Sequence, residues 1–407
     1  MILSSRVKET QTSITLKVSE KVEQMTQSGR HVYNLTSGQL KVKPPANFIT
    51  EISKQLNFLK SYQYSPVSGM ESLRAKFMDR FRLHRNITET ITDKFEYDCV
   101  VSNGSKHSLY NIFGALINSG DEVIILTPFW VSYPEMVKFW GGVPVVVKSH
   151  AFDAYTPSID EIEKAISPRT KAIIINSPNN PAGIHYDDQW MKDFAKFLKK
   201  HEDLIAISDE AYSELYYYDP APTYFYQKDP EVLSQTIVVN SISKSLASTG
   251  LRIGYTIGHK SLITAIGKIQ SQTTSGPNSL IQRALIEFDF NECENYFNTI
   301  KEQLRNSTQF LRESFREKNL PHCYYQTTSA FYYLLDFSRM PFYERFKDEK
   351  GSDHSQEIVD DILDKTGVAL VPGSSFGYPN SARMSLTLEQ IPFEEAISKL
   401  MEYISQK

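Results

Sequence analysis

The chain has 407 residues, 41% of them hydrophobic, with 44 Lys plus Arg against 48 Asp plus Glu and a formal net charge of −4. This excludes a minimal binding module and a disordered, collagenous or coiled-coil chain, and leaves no electrostatic case for nucleic acid as the main partner. No run of about 18 apolar residues occurs, so no membrane-spanning helix is expected and small molecules become the expected ligands. Cys99, Cys293 and Cys323 are far apart and odd in number. They fit neither a disulfide framework nor a zinc spacing, and read as reduced thiols of a cytoplasmic protein with no metal. The start of the sequence lacks the apolar stretch of a secretory signal.

In chain order, Ile49, Ile52, Leu56 and Leu59 recur at helical spacing, as do Leu73, Phe77 and Phe81. Short apolar runs at 99–101, 123–126, 143–147, 172–175, 204–207 and 237–239 read as strands. Most are separated by helical patterns such as Leu109, Ile112, Phe113, Leu116 and Trp190, Phe194, Phe197, Leu198. Near-continuous β-branched runs between helices predict an α/β fold with a mostly parallel sheet covered on both faces. Beyond residue 290 the pattern changes to a long helix through about 318, the strand-like YYLLDF, a charged helix near 356–364, VALVPG, ARMSLTL and a closing helix. This predicts a large domain at 46–290 and a smaller α+β unit built from 1–45 and 291–407, with a cleft between them suited to a ligand.

Ligands of open α/β sheets lie beyond the carboxyl ends of the strands, so the residues after each run matter most. Ser102-Asn103-Gly104-Ser105-Lys106 precedes a helix and offers backbone N–H groups to a phosphate, without the spacing of a nucleotide P-loop. Asn176-Ser177-Pro178-Asn179-Asn180-Pro181-Ala182-Gly183 is a proline-fixed turn that projects amides. Ser208-Asp209-Glu210-Ala211-Tyr212 places a carboxylate and a phenol at the same edge. Ile242-Ser243-Lys244-Ser245 sets one lysine among small hydroxyl residues, with Arg252 eight residues on, as for an amine held beside an anion site.

Together with Leu35-Thr36-Ser37-Gly38, Tyr64-Ser65-Pro66-Val67-Ser68-Gly69 and Ala382-Arg383-Met384-Ser385, these segments resemble, in order and spacing, the class I, fold-type I pyridoxal-phosphate aminotransferases over nearly the whole chain. The resemblance implies a seven-stranded, mostly parallel sheet and pyridoxal 5'-phosphate as cofactor. Lys244 matches the lysine that forms an imine with the cofactor and moves the proton, and Asp209 the partner of the pyridine nitrogen. Asn180 and Tyr212 match the pair on the phenolic oxygen, and Trp130 the aromatic stacked on the ring. Ser105, Ser241, Arg252 and the N–H groups of Gly104, Ser105 and Lys106 match the phosphate site. Tyr64 matches a residue that reaches the neighbouring subunit's phosphate, which implies a homodimer with shared sites. Arg383, helped by Gly38, matches the reader of the substrate α-carboxylate.

For the side chain, Lys106 and the Thr15 of Ser13-Ile14-Thr15 resemble the bacterial aspartate/prephenate subgroup, although Gly38-Gln39-Leu40-Lys41 departs from that subgroup's usual G-E-P-D. The implied reaction moves an amino group between aspartate and 2-oxoglutarate by a ping-pong route. The alternatives are an aromatic or prephenate aminotransferase, with the aromatic run at 214–227 as a pocket rather than core, or a cofactor-sensing transcription regulator. The last lacks room for a DNA-binding domain before Leu35.

Overall fold

A computed structural model describes residues 3–10, 12 and 14–406 of the chain. Seven strands make the central sheet: β1 (Tyr97–Ser102), β2 (Glu122–Leu126), β3 (Val143–Val147), β4 (Thr170–Asn176), β5 (Ile205–Asp209), β6 (Thr236–Ser241) and β7 (Gly254–His259). Their order is β1-β7-β6-β5-β4-β2-β3. Only β7 runs against its neighbours; the other paired strands are parallel. Alternate residues of one strand feed different cores: Ile173 and Ile175 join one apolar cluster, Ala172 and Ile174 the other. Burial on both faces is why the inner strands read as continuous apolar runs, whereas the edge strand β3 leaves Val143 and Val146 exposed.

Each expected apolar run falls in or against a strand. The run at 204–207 is displaced, because β5 extends to Asp209 and puts that carboxylate at the strand's end. Strand β7 was not foreshadowed by any apolar run. Its start, Gly254, lies where a Cβ would come 2.4 Å from the backbone of Gly104 and Ser105, so a side chain is excluded there.

Helices cover the sheet, among them α1 (Glu71–Arg85), α2 (Ser105–Leu116) and α3 (Asp188–Lys200). In α3 Trp190 and Phe194 stack at 5.1 Å, and both face inward with Phe197 and Leu198. The expected helical stripe from Ile49 to Leu59 is corrected: the helix there ends at Gln55, and Leu56 and Leu59 are 50% and 75% exposed. Phe58, Tyr62 and Tyr64 continue this apolar strip on the surface. The aromatic run at 214–227 resolves as core, with Tyr217, Tyr224, Phe225 and Tyr226 buried.

A second, antiparallel sheet is built from β8 (Tyr332–Asp336), β9 (Val371–Pro372) and β10 (Ser381–Ser385), with β10 in the middle. The long helix α4 (Glu294–Glu317) and the closing helix α5 (Gln390–Ile404) pack together beside it. Tyr33 and Asn34 pair with Val368 and Ala369, which ties the N-terminal segment to this part of the chain. Among the described residues no helix is long and apolar enough to cross a membrane, and no cluster of potential metal ligands occurs.

Glu210, next to the end of β5, is fully buried. Its carboxylate accepts from Arg85 at 2.6 Å, Tyr226 at 2.6 Å and Ser208 at 2.9 Å. Removing one member of such a pair leaves an uncompensated buried charge. Glu210→Ala should therefore cost about 3–5 kcal/mol in denaturant unfolding. A loss below about 1 kcal/mol, the usual worth of an exposed pair, would contradict this reading of the network.

Candidate active site

Parallel strands point their carboxyl ends to one edge, and the sequence puts its polar turns there. Strand β4 ends in Asn176 before the proline-fixed turn, β5 in Asp209, and β6 in Ser241 before the short helix Ile242–Ser245 that carries Lys244. A cavity of about 600 Å³ opens at this edge. It is lined by Thr15, Gly38, Ser105, Lys106, Trp130, Asn180, Asp209, Tyr212, Lys244, Arg252 and Arg383. Gly104 and Ser241 lie beside it rather than on its wall. Tyr64 is not brought to it within the chain and is 96% exposed. Ser13 lies outside the described residues.

Asp209 is held from several directions. The Tyr133 hydroxyl donates to its Oδ2 at 2.6 Å, and the Ala211 N–H to its Oδ1 at 3.3 Å. Burial pushes its carboxyl up to about 6, against the pull of those two donors. The Asn180 amide donates to the Tyr212 hydroxyl at 3.3 Å, and its own Oδ1 accepts from Arg383 at 3.1 Å. A second Arg383 nitrogen donates to the Thr36 carbonyl at 2.9 Å, while its Nε is buried with no partner among the described residues.

Lys244 donates to the Gly38 carbonyl, a contact that joins the 35–41 segment to the cavity. Burial, with Arg383 and Arg252 nearby, lowers its amine to about 8. Asp209 opposes that shift, as an opposite charge must. Burial and Arg252 also lower Lys106, whose Nζ sits 4.9 Å from the centre of the Trp130 ring.

The anion cradle depends on glycine. Gly104 has a φ of +84°, and a Cβ there would meet Arg252 at 2.4 Å. Gly254 allows the start of α2 to seat against β7, and that first turn carries no side-chain cap. Uncapped N–H groups at a helix start suit an anion. Arg252 is anchored by donating to the Thr249 and Asn103 carbonyls at 2.8 and 3.2 Å. The Ser241 hydroxyl is buried and has no partner among the described residues.

Sequence reasoning missed Tyr133 and Tyr332, and named Asn176 in the amide turn without giving it a role. Asn176 accepts from the Asn180 N–H at 2.9 Å and donates to the Asp209 carbonyl at 3.1 Å. Tyr133 stands three residues after Trp130, at the start of the next helix, and their rings meet edge to face at 5.4 Å; that closeness in sequence is the signal that could have found it. Tyr332 sits in an apolar strand whose pattern shows only burial.

Residues 30–400 match the family described as aminotransferase class I and II. The chain is 33% identical to an aspartate aminotransferase of Bacillus sp. (strain YM-2), covering 99% of each chain. It is 32% identical to a probable aspartate/prephenate aminotransferase of Thermus aquaticus, over 99% of this chain and 98% of that one. The fold superimposes on the aspartate aminotransferase from Thermus thermophilus with maleate at a TM-score of 0.88, with 30% identity, covering 99% of this chain and 100% of that one. A matching family over almost the whole length, and a cavity in which an amine, a buried carboxylate and two arginines converge, lead to one conclusion: the chain belongs to the class I and II aminotransferases, enzymes that move an amino group between amino acids and oxo acids.

Proposed function

We propose that this protein is a pyridoxal-phosphate-dependent aspartate aminotransferase with 2-oxoglutarate as acceptor, working by a ping-pong route as a cytoplasmic homodimer. The observation that carries the reading is the cavity itself, where Lys244 and Asp209 share one wall-lined space with Arg252 and Arg383. In this reading residues 46–290 hold the cofactor, while 1–45 and 291–407 form the smaller unit that carries Gly38 and Arg383. The buried free thiols Cys99 and Cys293 suit a reducing compartment.

The residues present fit the cofactor. The glycine-dependent cradle, Arg252, Ser105 and the unpartnered Ser241 hydroxyl match a phosphate, and Arg offers it two donors at once. Asp209 would hold the pyridine nitrogen protonated, Asn180 and Tyr212 would bond the ring oxygen, and Trp130 would flank the ring. When bound, pyridoxal phosphate supplies an electron sink for the carbanion of the amino acid. Lys244 contributes an amine that is neutral near pH 8, able to act as nucleophile and then as the base that moves the proton at Cα. Arg383, already turned toward Asn180, would fix the α-carboxylate with a paired contact. Lys106 places a positive charge on the cavity wall for a distal carboxylate, and Thr15 lines the same space.

Shared sites are supported by a second, mainly apolar cavity of about 500 Å³ beside Lys106 and Arg252, lined by Tyr110, Met136 and Phe139. It suits the apolar strip that ends in Tyr64, supplied by a second copy. Because the aromatic run at 214–227 is core and lines neither cavity at this edge, no observation favours an aromatic donor over a dicarboxylic one.

Lys106→Ala should cut kcat/KM for aspartate by about ten- to a hundredfold and leave an aromatic donor nearly unchanged, whereas Arg383→Ala should harm every donor. A panel of donors with 2-oxoglutarate reads both effects. Equal losses for aspartate and the aromatic donor in Lys106→Ala would assign Lys106 to the phosphate or the fold instead.

In cofactor-free protein, labelling of Lys244 by trinitrobenzenesulfonate, mapped by mass spectrometry, should follow a midpoint near pH 8. Exposed lysines should follow one near 10.4. The sign for stability is set by the same shift. Between these two values the unfolded chain keeps a proton that the folded site has released, so the destabilisation from Lys244 is full below pH 8 and fades as pH rises toward the unfolded value. A Lys244 midpoint equal to that of exposed lysines would contradict the account of its environment.

A further inference from the structure

Tyr332 lines the cavity, is buried, and has no part in the reaction as described above. Its hydroxyl is 3.3 Å from that of Tyr212, and its ring centre is 4.4 Å from the Arg383 guanidinium carbon. It therefore touches the groups assigned to both ends of the chemistry. The backbone holds it there firmly. Tyr332 pairs with Ser385 in the β8–β10 ladder, which sets it diagonally beside Arg383 on the same face. Its carbonyl oxygen lies 2.1 Å from where a Cβ on Gly183 would stand, at a φ of +69°, so only glycine lets β8 approach the turn that carries Asn180. The N–H groups of Thr328 and Ser329 close the same junction by donating to the Gly183 carbonyl at 2.8 and 3.0 Å.

The hydrogen-bond inventory around Tyr212 gives Tyr332 a specific task. The Asn180 amide nitrogen only donates, so the Tyr212 oxygen accepts from it and has one proton to place. With no other acceptor bonded to it among the described residues, that proton can go to Tyr332. When a ligand acceptor enters the cavity, the Tyr212 proton turns to it, and Tyr332 can reverse and donate to Tyr212. A hydroxyl can make this exchange without leaving a buried polar atom unpaired, and an aliphatic or phenyl side chain cannot. A donor to the Tyr212 oxygen also strengthens Tyr212 as a donor in its turn.

We propose that Tyr332 is a positioning residue with two separable functions: its hydroxyl sets the donor strength of Tyr212 toward the cofactor, and its ring holds the Arg383 guanidinium for the substrate carboxylate. This rests on the reading that Tyr212 faces bound pyridoxal phosphate and that Arg383 takes the α-carboxylate.

The test uses holoenzyme loaded with pyridoxal phosphate and the variants Tyr332→Phe and Tyr332→Leu, each checked for an unchanged melting temperature. The readouts are the pH midpoint of the cofactor's visible absorbance change and kcat and KM for aspartate. In Tyr332→Phe a weaker Tyr212 donor stabilises the anionic ring oxygen less, so the midpoint rises by about 0.5–1 pH unit. In that variant kcat falls about three- to tenfold and KM stays within about twofold, because the ring remains on Arg383. Tyr332→Leu shows the same midpoint shift and in addition a KM raised about tenfold or more. An unmoved midpoint in Tyr332→Phe overturns the role of the hydroxyl, and equal KM values in the two variants overturn that of the ring. If the wild-type protein takes up no pyridoxal phosphate, the cofactor reading falls and this inference falls with it, a result distinct from normal uptake with an unmoved midpoint.

Discussion

Four basic side chains, Lys106, Lys244, Arg252 and Arg383, line one cavity whose only carboxylate among the described residues is Asp209. Charges gathered in a partly dehydrated space repel one another more strongly than in water, and the site is incomplete without anions to balance them. Burial, reinforced by this excess positive charge, pushes the Lys244 amine toward its neutral, nucleophilic form. The same charge also suits the phosphate and the carboxylates that the proposed function places in this cavity. Asp209 is the exception, and burial in turn holds its carboxyl above the ordinary range.

The fold supplies this convergence through close approaches at three glycines. Gly104 and Gly254 let α2 seat against the antiparallel strand β7, so that Arg252 reaches the helix start. Gly183 lets β8 of the second sheet press on the turn after β4, which brings Arg383 and Tyr332 to Asn180 and Tyr212. At each place a Cβ would meet backbone atoms or the guanidinium itself, so these glycines are needed for contact between layers, and Gly104 and Gly183 for their positive φ as well. The parallel strands then only have to end at a common edge for Asp209, Lys244 and the amide turn to meet.

Much of this was legible in the sequence, because strands buried on both faces leave continuous apolar runs and their polar ends stand out against them. Asp209, Asn180, Tyr212, Lys244, Arg252 and Arg383 sit in short motifs whose order carries the family resemblance, and the structure brings them to one cavity. What escaped depends on distant pairing. Strand β7 reads Gly-Tyr-Thr-Ile-Gly-His, so glycine and polar residues interrupt any apolar run. Tyr133 and Tyr332 look like ordinary core aromatics until the tertiary fold shows their hydroxyls at Asp209 and Tyr212. The stripe from Ile49 to Leu59 has the period of a core helix, yet its later residues face outward, because periodicity reports that a face is apolar without saying what covers it.

The central claim is that this cavity holds pyridoxal phosphate through Lys244. Its most direct measurement is reduction of the reconstituted protein with borohydride, followed by peptide mapping. The account predicts one phosphopyridoxyl group per chain, on Lys244, and none on that peptide in Lys244→Ala. A label distributed over surface lysines, or an unchanged stoichiometry in Lys244→Ala, would contradict it.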